Sequence, residues 1–205
     1  MLLLAVAATL PAQAQHSRLF PPEQLGMLEG PDRAAWQRPD EIMDALRIGE
    51  GSTVADLGAG GGWFTMRLAD RVGPNGKVYA EDVQSQMIEA IKRRVARAQL
   101  QNRVFPILGT EADPRLPEPV DAVLIVDSIH EMQQPVVVLR NVASKLKPQG
   151  RIGIIEFKKD GWGPGPPMAE RVDPELVMRD AEAAGLRFVS REDFRYQYML
   201  IFSRQ

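Results

Sequence analysis

An apolar, β-branched run from Thr53 stops at Asp56, and glycines then stand at 58, 60 and 62, just before an amphipathic stretch through Trp63, Phe64, Met66 and Leu68. Few folds accommodate that order. It predicts a strand, a tight glycine turn and the start of a helix. Backbone can approach a ligand there with no Cβ in the way, and free helix N–H groups favour an electronegative group. A nucleotide-like ligand suits such a turn, and a plain strand-to-helix connection is the alternative. Spacing separates the nucleotides. The dinucleotide fingerprint needs G-x-G-x-x-G, and counting from Gly58 its last glycine falls on Trp63. A nicotinamide-type oxidoreductase is therefore disfavoured.

The next strand carries a second signal. After Gly73-Pro74-Asn75-Gly76, the run from Lys77 to Ala80 ends in Glu81-Asp82, about 25 residues beyond the glycine turn. In a doubly wound sheet an acid at this place meets ribose hydroxyls. Such a charge-assisted contact is worth roughly 1.5–3 kcal/mol. The other reading of Asp82 is an acid that caps the following helix, and Met87 by itself fits a core methionine at helical spacing. The pattern then predicts a helix over 39–48, and beyond the glycine turn it alternates: helix 62–71, strand 77–82, helix 84–99, strands 103–108 and 120–127, helix 134–147, strand 151–158, helix 173–184, and a closing pair of strands over 186–195 and 196–203. This alternation argues α/β architecture with a parallel sheet covered by helices on both faces.

The order D-x-G-x-G-x-G from Asp56 to Gly62 resembles motif I of the class I S-adenosylmethionine-dependent methyltransferases. The resemblance implies a Rossmann-like, mostly parallel seven-stranded sheet whose last strand is antiparallel. It implies that Asp56, Gly58, Gly60 and Gly62 hold the methionine part of S-adenosylmethionine, that Asp82 binds the ribose, and that Met87 covers the adenine. Gly109-Thr110-Glu111 aligns with residues that touch the adenine. The strand Val120 to Asp127, followed by Ser128-Ile129-His130-Glu131, is similar to motif IV, which ends beside the transferable methyl and brings Asp127 to the cofactor. Leu146-Lys147-Pro148-Gln149-Gly150 resembles the turn before the fifth strand, with Gln149 in place of the usual first glycine. The likeness covers about residues 35–205. Three phrases, Arg33 to Asp40, Gly109 to Pro117 and Tyr196 to Tyr198, are similar to a bacterial subgroup of predicted methyltransferases with signal peptides. That subgroup often carries a histidine near the place of Glu170.

The chain has no cysteine, which removes thiol nucleophiles, iron–sulfur clusters and thiolate zinc sites. Radical chemistry on the same cofactor and thiolate-based arsenic methylation go with them. Only His16 and His130 exist, so no histidine-rich metal site can be built, and no metal is expected. There is no G-x-S-x-G elbow. The formal charge is −2 over 205 residues. The one basic cluster, Lys92, Arg93, Arg94 and Arg97, fits the solvated side of a helix, so nucleic acid is not expected as a partner.

Residues 1–14 combine an apolar stretch from Leu2 to Leu10 with Ala12-Gln13-Ala14, a signal-peptidase pattern. Export is one expectation, without a stable membrane span. A cytoplasmic enzyme with an apolar tail is the other, since the stretch lacks a preceding Lys or Arg. Residues 15–34 read as a loose arm and 35–205 as one domain. The expected function is methyl transfer to a small-molecule acceptor, with a non-catalytic S-adenosylmethionine-binding module or sensor as the alternative. His130 is the candidate general base, against a histidine that merely orders backbone. Glu131, Glu156, Trp162, Tyr196 and Tyr198 are candidates for the acceptor pocket, and the glycine- and proline-rich segment 161–167 for a loop above it.

Overall fold

A computed structural model describes residues 19–160 and 163–205. The segment 1–14, with its export reading, and Trp162 lie outside the described residues. Among those described, no helix is long and apolar enough to cross a membrane.

Seven strands form one sheet in the order β3-β2-β1-β4-β5-β7-β6. They are β1 (Thr53–Leu57), β2 (Lys77–Asp82), β3 (Val104–Leu108), β4 (Val120–Val126), β5 (Leu146–Phe157), β6 (Leu186–Asp193) and β7 (Gln197–Arg204). Strands β1 to β5 pair in parallel, and β7 enters antiparallel between β5 and β6. The helices are α1 (Arg33–Gln37), α2 (Pro39–Ala45), α3 (Trp63–Val72), α4 (Ser85–Arg97), α5 (Pro135–Ser144) and α6 (Pro174–Ala183).

Two-residue alternation along each strand builds two cores. Val54, Ala122 and Leu124 face Phe64, Leu68, Ile91 and Val95 of α3 and α4. Their neighbours Ala55, Val123 and Ile125 face Leu139 and Val142 of α5 and Val177 and Ala181 of α6. Pro106, which cannot donate to a ladder, sits on the edge strand β3. The chain adds β2 and β3 on one side of β1, then returns to place β4 on the other. The carboxyl ends of β1 and β4 therefore flank the crevice where ligands bind in such sheets.

Several boundaries differ from the sequence expectation, and the helix expected over 134–147 stops at Ser144. Strand β5 begins at Leu146, not 151, because Val120 pairs with Leu146 and Ala122 already with Arg151. The Lys147-Pro148-Gln149-Gly150 turn is thus a bulge within the paired strand. The helix expected over 39–48 ends at Ala45, and Arg47 turns left-handed at φ 59°. Ahead of it, Pro22–Glu29, within the segment read as a loose arm, forms a 3-10 helix, and α1 follows.

Candidate active site

A cavity of about 430 Å³ opens at the carboxyl ends of β1, β2 and β4. Asp56, Gly58, Gly60, Asp82, Met87, Thr110, Glu111, Asp127 and His130 all line it. Gly62 does not: at φ 81° it leads into α3, and a Cβ there would point at Ile91 and Thr65. Its role is to turn the chain into the helix.

The glycine turn is shaped from both sides. Gly58 adopts φ 66°, and a Cβ on it would lie 2.6 Å from the Ser128 side chain, so the ends of β1 and β4 approach as only glycine permits. Asp82 holds the turn from β2. Its Oδ2 accepts the Gly60 N–H at 3.0 Å and its Oδ1 accepts the Gln84 N–H at 2.9 Å, just before α4. Asp82 thus holds the residue that precedes α4 without capping the helix's own first-turn N–H groups, and the same carboxylate also faces the cavity. Asp56 is buried, with its Oδ2 accepting the Thr65 hydroxyl at 2.6 Å. Burial pushes its carboxyl up to about 6, against the Thr65 hydrogen bond and the Arg33 charge. Thr110 orders its own turn, its Oγ1 accepting the Asp113 N–H at 2.9 Å.

At the end of β4 the charged groups hold each other. Nδ1 of His130 lies 2.9 Å from Glu156 Oε2 and 4.0 Å from Asp127 Oδ1, and its Nε2 lies 3.9 Å from Glu131 Oε1. Glu156 is fully buried on β5 behind the histidine and also accepts the Ile129 N–H. Burial alone would lower the His130 pKa, but the hydrogen bond to Glu156 and the surrounding carboxylates raise it to about 9. Burial, then the Glu156 charge, raises Asp127. Asp127 has a left-handed backbone at φ 53°, and its Oδ1 is buried with no hydrogen-bond partner among the described residues.

Several lining residues were not anticipated. Glu81 turns inward, and burial followed by the Asp82 charge pushes it up to about 8. Gly109 makes room for it, since a Cβ there would meet Glu81 Oε1 at 1.8 Å. The 3-10 segment roofs the cavity with Gln24, Met27, Leu28 and Glu29. Its pins are the Phe20 N–H donated to Glu131, Gln84 Nε2 donated to the Phe20 carbonyl, and Arg94 paired with Glu29 at 2.5 Å. Arg94 therefore leaves the solvated face proposed for the basic cluster. The signal that could have found this roof is Leu25, Met27 and Leu28, apolar in a segment punctuated by proline and glycine.

On the far side, Gly165, Pro166, Pro167 and Glu170 form the rim. Arg171 braces that loop by donating to the carbonyls of Lys158, Pro164 and Pro166. Tyr196 packs against Trp36, and Tyr198 donates its buried hydroxyl to Val172, so neither lines the cavity.

A family model described as a methyltransferase domain matches residues 48–195. The chain belongs to this family, the class I S-adenosylmethionine-dependent methyltransferases. A methyltransferase structure from Aquifex aeolicus, dependent on the same cofactor, is 29% identical, with a TM-score of 0.82 over 89% of this chain and 98% of that one. The ubiquinone/menaquinone biosynthesis C-methyltransferase UbiE of Ectopseudomonas mendocina is 26% identical over 84% of this chain. An uncharacterized methyltransferase of Mycobacterium tuberculosis is 36% identical over 76% of it. The chain spans 65% and 59% of these two relatives.

S-adenosylmethionine is the cofactor of this methyltransferase. The site fits it: Gly58 and Gly60 line the cavity with bare backbone, the ends of β1 and β4 approaching more closely than a Cβ on Gly58 would allow, and Asp127 keeps a buried carboxylate oxygen without a hydrogen-bond partner among the described residues.

Proposed function

We propose that this chain transfers a methyl group from S-adenosylmethionine to a small-molecule acceptor entering between the roof segment and the proline rim. The observation that carries this reading is the continuity of one cavity from the glycine turn and Asp82 to Asp127 and His130. Its volume lies within the roughly 300–1,000 Å³ of small-molecule sites. When bound, the cofactor supplies an electrophilic methyl on a positively charged sulfur.

The chain's residues position, and His130 manages a proton. In this reading Asp56 and the turn at Gly58 and Gly60 hold the methionine part, Asp82 the ribose, and Met87, Thr110 and Glu111 the adenine, with Asp127 beside the sulfonium. Holding donor and acceptor in line can contribute about 7–11 kcal/mol, against about 3–5 kcal/mol for a general base. Because Glu156 keeps His130 protonated at neutral pH, its Nε2–H donates to an acceptor oxygen or enolate that arrives as an anion. As a base the ring works once a nearby positive charge lowers its pKa.

A small organic acceptor is supported by the relatives named for ubiquinone and menaquinone biosynthesis and by the enclosed cavity. The test is incubation with methyl-labelled cofactor and an extract of the host. Label in a low-mass product, matched by S-adenosylhomocysteine, is expected. Tight binding with no label transferred would favour the sensor reading, and label in protein or nucleic acid would overturn the small-molecule acceptor.

A further inference from the structure

The sheet ends on two edge strands, and the chain treats them differently. Strand β3 is five residues long and carries Pro106, which blunts it against further pairing. Strand β6 has eight residues and no proline, and among the described residues nothing pairs with its outer side. Only Leu186 of the eight is buried, while Phe188 and Val189 are 46% and 39% exposed. An edge of this length with exposed apolar side chains is a template for another strand.

The bulge in β6 decides how its side chains are shared between the two faces of the sheet. Along β7, Phe188 lies opposite Phe202, Ser190 opposite Ile201, Arg191 opposite Leu200 and Glu192 opposite Met199, so Val189 is an extra residue. Leu200 and Phe202 belong to the core beneath α5 and α6, Met199 and Ile201 to the core beneath α3 and α4. Phe188 and Arg191 therefore share the first face. Arg187, opposite Ser203, shares the second with Glu192. In a regular strand, residues an odd number of positions apart, as 187 and 192 are, would lie on opposite faces.

We infer that β6 pairs antiparallel with β6 of a second copy, about a two-fold axis passing between Val189 and Ser190, which joins the two sheets edge to edge. In that register Arg187 of each copy meets Glu192 of the other, and Arg191 of each meets the Phe188 ring of the other, on matching faces. Arg191 is set for this by its fork onto Asp193, at 2.9 Å from both Nε and Nη2. Moving the axis onto Val189 would set Arg187 against Arg191, and moving it onto Ser190 would set Arg187 against Asp193 on the other face. Charge and face thus select one register and one partner, the chain itself. No residue of β6 lines the cavity, and the two-fold axis turns the two cavities to opposite ends of the joined sheet.

Light scattering on the size-separated full chain tests this. At about 100 μM the wild type is expected to elute as a dimer, twice the 22.8 kDa of one chain. Arg187→Glu and Glu192→Arg each set like charges opposite one another twice, and each should weaken the dimer at least about tenfold. An equimolar mixture of the two variants should recover it, because the mixed dimer has opposite charges at both places. Both substitutions in one chain should restore the homodimer. The two side chains are exposed, so far-ultraviolet circular dichroism should not change in either variant. A monomeric wild type would overturn the pairing. So would a wild-type dimer that both variants retain, or a mixture of folded variants that stays monomeric.

Discussion

The ends of β1 and β2 and the ends of β4 and β5 solve the same problem in different ways. Both bring carboxylates into a mostly buried space. At β1 and β2 the acids are held by groups that do not titrate near neutral pH: Asp82 by two backbone N–H groups and Asp56 by the Thr65 hydroxyl. At β4 and β5 the groups are held by one another, with His130 between Glu156, Asp127 and Glu131. The first arrangement sets geometry through partners whose own charge does not change. The second makes each ionisation depend on its neighbours, as suits a place where charge moves during a reaction.

The largest effect should come from Gly58→Ala, because Gly58 is where the two halves touch. The added methyl meets Ser128 at 2.6 Å in a backbone conformation that alanine resists. We expect a stability loss of about 1–3 kcal/mol by thermal melting and loss of measurable S-adenosylhomocysteine binding. A variant that still binds normally would mean that the β1–β4 contact does not shape the site. Next comes Asp82→Ala, which orphans the Gly60 and Gln84 N–H groups and removes the acceptor proposed for the ribose. Cofactor affinity should fall about ten- to a hundredfold. Asp82→Asn should recover little, since an amide offers one acceptor oxygen where the carboxylate uses two.

The same contrast explains what was legible from residues alone. Backbone-held elements depend on local spacing, so the glycine turn, Asp82 and the alternation of strands and helices could be located without coordinates. The side-chain cluster depends on register: Glu156 reaches His130 only because β5 lies beside β4, with Val126 opposite Ile155. His130 could be singled out as a lone imidazole, but its protonated state could not. The roof was hidden for another reason. A 3-10 helix has weak periodicity, and its pins are contacts across long sequence separation, such as Glu29 with Arg94 and Phe20 with Glu131. The β5 bulge was missed because proline and glycine normally end a strand.

The buried titrating groups of both halves make stability depend on pH with a definite sign. Asp56, Glu81, Asp127 and His130 all have folded pKa values above their unfolded ones. Their contribution is complete below the unfolded values, about 4 for the acids and about 6.5 for the imidazole. It is lost as pH rises through the folded values, about 6 for Asp56, about 8 for Glu81 and about 9 for His130. The ligand-free protein should therefore melt lower at pH 8.5 than at pH 5.5. A sulfonium relieves the same repulsion, so the extra stabilisation by S-adenosylmethionine over S-adenosylhomocysteine should grow over that interval. Equal gains at both pH values would break the link between these acids and the cofactor charge. Glu156→Gln sharpens the point, because it removes the strongest support for the imidazolium. His130 should then titrate well below 9, nearer 6.5, by NMR. The spectrum is simple, with only two histidines in the chain.

The smallest effect should lie at the opposite edge of the sheet. Lys77 begins β2, and its Nζ pairs with Glu118 at 2.7 Å, both side chains being more than a third exposed. Solvent screens such a pair and the long lysine side chain loses freedom in making it, so Lys77→Ala should change stability by at most about 1 kcal/mol. Glu118 would keep its hydrogen bond from Tyr79. Cofactor affinity and the pH dependence above should both stay unchanged, because this amino-terminal edge shares no carboxylate with the cavity. If Lys77→Ala did alter the titration of His130, the coupling at β4 and β5 would extend through the whole sheet, and the contrast between the two halves would fail.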